Sequence, residues 1–176
     1  NIVDGVVGIL EYDHEYPQSK MNLRYILGEE VKIHNVMEIE SDKIREEARR
    51  CCVLQFLRDV ALARLLDDTG INCISTMIQM KESHVIDYVK DDPHFLPDLF
   101  SLYDHNENLV TKQKLRDGIS MLHQFVKVVK NGQIYQRIDF YKAVIDQGLN
   151  KMIEFSISND TSYIENRILT SEIIMT

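Results

Sequence analysis

A chain that turns often needs residues that permit turning, and this one has few of them. Seven glycines and three prolines in 176 residues come to about 6 %, against roughly 12 % in average usage. Sheet proteins place these residues at hairpins and tight turns. The shortage therefore points to helices joined by few connections, and no segment shows a convincing period-2 alternation of apolar and polar residues. The expected fold class is all-α.

The pattern along the chain predicts eight or nine helices. Ile2 to about Glu11 carries Ile2, Val3, Val6, Val7, Ile9 and Leu10, interrupted by Gly5 and Gly8, and so reads as a helix inside a larger core. Residues 12–40 read as irregular, with a short helical stretch around "LRYIL" and an extended "VKIHNVMEI". Ser41 and Asp42 offer an N-cap to a helix running to about Leu66, in which Glu46 can pair with Arg50. Its second half, "VLQFLRDVALARLL", is apolar on most sides and must be covered by neighbours.

After "DDTG" the sequence predicts helices over 71–80, 83–90 and 93–103, the last opened by Pro93. A longer one spans 110–130, where Leu115, Ile119, Leu122, Val126 and Val129 step by four, three, four and three to form one stripe. Asn131-Gly132 stops it. Helices over 134–147, ended by Gly148, over 149–157 and from 161 onward complete the series. "GINCISTMIQMKESHVIDY" from Gly70 aligns with "GLNKMIEFSISNDTSYIEN" from Gly148 without gaps. The separation is close to two units of about 40 residues, the length of a HEAT or armadillo repeat. The expectation is one armadillo/HEAT-like α-solenoid domain over 1–176, of roughly four repeats. The abrupt, apolar ends read as a fragment of a longer solenoid.

Charge and hydropathy exclude several classes. A net charge of -8 and a pI near 5.2 argue against a nucleic-acid partner, since phosphate neutralisation needs clustered Lys and Arg. No run of 18 apolar residues occurs, so no membrane partner is expected. Cys51 and Cys52 are adjacent and Cys73 stands alone. They make no Cys-x-x-Cys pair and read as small core residues in a reducing compartment.

"LEYDHEYP" at 10–17 is the stretch most suggestive of chemistry, with Glu11, Asp13, His14 and Glu15 between two tyrosines. Adjacent residues on a helix point in different directions, whereas metal ligands need helical spacing or convergence from elsewhere. The bland reading is a polar helix exit, with Pro17 forcing Tyr16 out of helical geometry. "DHNENL" from Asp104 fails as a calcium loop, because Leu109 and Leu115 occupy its sixth and twelfth positions, where glycine and glutamate are needed. There is no Walker loop, no G-x-G-x-x-G and no G-x-S-x-G elbow. Lys112, Lys114 and Arg116 read as a solvated face. The sequence offers no enzyme, no cofactor site and no metal site.

Three strings together resemble one family. "LEYD" at Leu10–Asp13, "QFLRDVAL" at Gln55–Leu62 and "VIDYVKDDPHFLPDLF" at Val85–Phe100 are similar to the central region of the SMEK/falafel family, regulatory subunit 3 of protein phosphatase 4. The most specific feature is the D-x-x-F-L-x-x-L-F spacing of Asp92, Phe95, Leu96, Leu99 and Phe100. Arg24 and "VMEI" at 36–39 also fit. "MIQMK" at 77–81 departs from the paired phenylalanines of the family and marks a divergent member. The resemblance covers about 1–103 and is only helical in character from 104 to 176.

The resemblance implies an armadillo/HEAT-like fold and a non-catalytic scaffold. Its partners would be the phosphatase 4 catalytic subunit, a second regulatory subunit and phosphoprotein substrates, including nuclear DNA-damage-response substrates, in the nucleus and cytoplasm. The alternative is a generic peptide-binding adaptor. The candidate protein-binding residues are Tyr12, Asp13, Tyr16 and Arg24, because exposed aromatic and charged anchors on solenoid loops carry binding.

Overall fold

The computed structural model describes residues 5, 7–9, 11–12, 22–23, 25, 36–37, 39–62, 65–104, 112–158 and 164–176. Among them there are helices and turns and no strand: α1 (Asp42–Phe56), α2 (Asp68–Asp91), α3 (Phe95–Ser101), α4 (Lys112–Lys130), α5 (Ile134–Gln147), α6 (Leu149–Ser158) and α7 (Ile164–Met175). The fold is all-α, as expected. The chain forms two compact units, one of 1–33 with 45–81 and the other of 34–44 with 82–176.

In the first unit, Val7, Leu23, Val53 and Phe56 form a small core with Leu57 against it. Glu46 accepts hydrogen bonds from Arg49 (2.9 Å) and Arg50 (2.7 Å), the second being the expected i, i+4 pair. These two guanidinium groups hold the Glu46 carboxyl down to about 2.

α1 does not continue to Leu66. At Leu57–Ala61 it widens into a π-helical turn, and the Leu62 amide bonds back to the Leu57 carbonyl at 2.8 Å. A short turn then leads to Asp67, whose carboxylate accepts the Gly70 amide at 2.8 Å. That is an N-cap contact, and it restarts the helix as α2. From Asp68 the helix runs unbroken to Asp91, where two helices were expected. The sequence has no glycine or proline between Gly70 and Pro93 to break it.

In the second unit, α4 buries Ile119, Leu122, Val126 and Val129 as the stripe predicts, with Leu115 partly buried beside them. Gly148 closes α5 in the left-handed region (φ 118°), its amide bonding to the Ile145 carbonyl; this is the position where a Cβ is disfavoured. α3 packs against α5 and α6, and α4 packs against α5 and most extensively against α7. α4 and α7 run in the same direction, since His123 meets Glu172 and both C-terminal turns line one cavity.

Contacts between α3 and α6, and between α4 and α7, each link a helix to the third one after it. This is the stacking expected of successive three-helix units in an α-solenoid. The contacts fix no repeat number. The aligned glycines are not equivalent: Gly70 lies in the first turn of α2, whereas Gly148 follows the last residue of α5.

A close approach between α3 and α4 explains a glycine in mid-helix. The Tyr103 hydroxyl donates to the Leu115 carbonyl at 2.6 Å. A Cβ on Gly118 would stand 2.5 Å from that oxygen. Burial, followed by the charge of Asp117, pushes the Tyr103 phenol well above its ordinary range, so it remains a donor.

Candidate protein-binding surface

The D-x-x-F-L-x-x-L-F segment is architectural. Phe95, Leu96, Leu99 and Phe100 are all buried in the core of the second unit. The Asp92 carboxylate accepts the amides of His94 and Phe95, both at 2.9 Å, and so caps α3. Burial would raise the Asp92 carboxyl, but the His94 amide, the Tyr88 hydroxyl and the Phe95 amide outweigh it and hold the group below its ordinary value. Tyr88, hydrogen-bonded also to the backbone at Ser41 and Glu40, ties residues 40–41 to this cap. The four apolar residues therefore cannot contact a partner while the unit is folded.

The residues expected to bind lie elsewhere. Tyr12 is 61 % exposed. It sits where the first helical stretch ends, its amide bonding to the Ile9 carbonyl at 3.2 Å and the Glu11 amide to Val7 at 3.1 Å. Residues 11–12 of "LEYDHEYP" thus form a helix exit. Asp13, Tyr16 and Arg24 lie outside the described residues, as do His14 and Glu15. Tyr25, which no sequence motif marks, is 70 % exposed in the same unit and is of the residue type that anchors interfaces.

Among the described residues no group of three or more His, Cys, Asp or Glu side chains could hold a metal ion, and no helix is long and apolar enough to cross a membrane. No disulfide joins the three cysteines, and Cys51 is buried and Cys52 partly so. Cys73 is exposed, contrary to its expected place in a core. It lies on the outward face of α2 with Met77 and Met80, which are exposed as well.

A cavity of about 310 Å³ opens where the C-terminal turns of α4 and α7 meet. His123 and Glu172, hydrogen-bonded at 2.6 Å, line it together with Lys127, Lys130, Val126 and Met175. The two lysines lie in the last turn of α4, where cations complement the helix dipole. The His123–Glu172 pair ties α4 to α7, and the cavity presents no nucleophile held by a base.

The family model for phosphatase 4 regulatory subunit 3 matches residues 1–176. The chain belongs to that family. The match includes 104–176, where the sequence strings alone carried no specific signal. A relative named serine/threonine-protein phosphatase 4 regulatory subunit 3 from Kluyveromyces lactis is 35 % identical over 173 residues, covering 97 % of this chain and 23 % of that protein. The protein of the same name from Candida glabrata is 34 % identical, covering 88 % of this chain and 19 % of its own length. The Dictyostelium discoideum protein named Suppressor of Mek1 is 25 % identical, covering 97 % and 16 %. The chain thus spans about a fifth of the length of these relatives. The family is named for a regulatory subunit of a phosphatase and not for its catalytic chain. No solved structure matches.

Proposed function

We propose that this chain is the central armadillo/HEAT-like domain of a non-catalytic regulatory and scaffold subunit of the protein phosphatase 4 complex. In this reading it helps bring the catalytic subunit to phosphorylated substrates and works with a second regulatory subunit. Nuclear DNA-damage-response proteins are among those substrates, and the complex operates in the nucleus and the cytoplasm. The observation that carries the reading is the family match over all 176 residues, most of it along an α-helical scaffold. Exposed tyrosines at Tyr12 and Tyr25 support a docking role for the N-terminal unit, with Asp13, Tyr16 and Arg24 as further contacts.

The test is a pull-down of the phosphatase 4 catalytic subunit by the full-length parent protein and by its Tyr12→Ala and Asp13→Arg/Arg24→Glu variants. Circular dichroism is recorded on the same samples. The reading expects capture by the wild type and weakened capture by the folded variants. Wild-type capture by folded variants would remove these residues from the docking surface. No capture by the wild type would overturn the regulatory-subunit reading.

A further inference from the structure

We propose that the outward row of α5, formed by Ile134, Ile138 and Ile145, is the stacking surface for the helix that follows α7 in the full-length parent. In the second unit, helices three apart in order lie against each other. α3 meets α6 and α4 meets α7. α2 meets α5 through Gln136, whose side-chain amide donates to the Ser83 carbonyl at 3.1 Å and to Asp87 at 2.9 Å; Ser83 and Asp87 belong to the same compact unit as α5. The next contact in this series joins α5 to the third helix after it, which is the first one beyond α7.

The isoleucine row stands where that contact would fall. With 3.6 residues per turn, Ile134, Ile138 and Ile145 lie about 160°, 200° and 180° round the helix from Gln136. They are 67 %, 47 % and 59 % exposed, directly opposite the side that meets α2. α6 repeats the arrangement. The Phe155 ring lies 5.4 Å from that of Tyr103, just after α3, and Ile157, about 200° further round, is exposed.

A helix inside a solenoid is covered by the unit before it and the unit after it, whereas a terminal unit needs a polar outer face. α5 and α6 present isoleucine on that outer side, so the surface is built to be covered. Exposed Lys142 beside the row and Asp139 and Asp146 beyond it carry both signs. Charge therefore selects no foreign partner, and the stacking order decides the occupant. This chain covers 23 % and 19 % of the lengths of its Kluyveromyces lactis and Candida glabrata relatives, which leaves those proteins ample chain for further repeats of about 40 residues. The inference needs only the stacking pattern and stands apart from the phosphatase reading.

The test uses the purified full-length parent with the photo-cross-linker benzoylphenylalanine placed at position 138. Irradiation and peptide mass spectrometry identify what lies against the row. The expected product, at the mass of one chain, joins this position to a peptide within about 40 residues after Thr176, the length of one repeat. In a second measurement, Ile138→Cys should react with an aromatic disulfide reagent at least roughly tenfold more slowly in the folded parent than in urea, because a covered thiol reacts only when its surroundings open.

Circular dichroism checks each variant, and should position 138 tolerate no change, position 145 carries the same two measurements. A cross-link to a second copy, read as a doubled mass, or to any other part of the chain would overturn the proposal. So would the absence of a cross-link at both positions in folded protein, or a native thiol that reacts as fast as the unfolded one.

Discussion

Replacing Gly118 with alanine should destabilise this protein, although alanine is the better helix former. The added Cβ would sit 2.5 Å from the Tyr103 hydroxyl oxygen, while its next neighbours, Leu99 Cδ1 and Tyr103 Cζ, are 3.5 Å away. The hydroxyl must retreat by about 1 Å to reach ordinary contact, and its 2.6 Å bond to the Leu115 carbonyl is then stretched or lost. Overpacking of this kind costs about 1–3 kcal/mol, and the hydrogen bond contributes about 1 kcal/mol. The gain in helix propensity returns about 1 kcal/mol. The expected net loss is about 1–3 kcal/mol, a fall in Tm of roughly 2–12 °C for a chain of this size.

Tyr103→Phe alone should cost about 1 kcal/mol. With the hydroxyl gone, Gly118→Ala meets only ordinary contacts and should stabilise by about 1 kcal/mol. The double-mutant cycle therefore predicts a coupling of about 2–4 kcal/mol, large for a residue pair. Urea denaturation of the four proteins followed by circular dichroism measures it. Equal effects of Gly118→Ala in the two backgrounds would refute the reasoning, as would a stabilised single variant.

Phe56, 5 % exposed in the core of the first unit, should cost about 3–5 kcal/mol on replacement by alanine; an unchanged thermal midpoint would contradict its place there. Asp92→Ala should cost about 0.5–2 kcal/mol through loss of the α3 cap. The lowered Asp92 carboxyl contributes stability that is present above its unfolded value and lost as pH falls through its folded one. The acid limb of the stability profile should therefore flatten in Asp92→Asn, and an identical slope in wild type and variant would exclude the contribution. An aromatic disulfide reagent should modify exposed Cys73 in the native protein and reach buried Cys51 only on unfolding. Equal reactivity of the two thiols would contradict the burial pattern.

Legibility in the sequence followed amphipathicity. α4 shows one apolar stripe on a polar helix, so periodicity identified its buried face. α5 was placed to the residue by Asn131-Gly132 and Gly148, yet its outward isoleucines went unseen. Phe140 and Val144 on one side and Ile134, Ile138 and Ile145 on the other blur into a helix that looks apolar all round. The D-x-x-F-L-x-x-L-F segment was legible as a resemblance, while its physical role, a carboxylate cap over a buried quartet, required the contacts of Asp92 and Tyr88. The π-helical turn after Phe56 has no compositional signature, because i→i−5 bonding depends on what the apolar run packs against. Of the four residues expected to bind a partner, Tyr12 is exposed, and Asp13, Tyr16 and Arg24 lie outside the described residues.

The central claim is that the protein acts as a scaffold of the phosphatase 4 complex. Affinity purification of the tagged full-length parent from its own cells, with the co-purifying chains identified and the phosphatase activity of the eluate assayed, tests it most directly. The account predicts that the phosphatase 4 catalytic subunit co-elutes, bringing phosphatase activity that the purified parent alone lacks. Elution without that subunit, or activity retained by the parent alone, would contradict it.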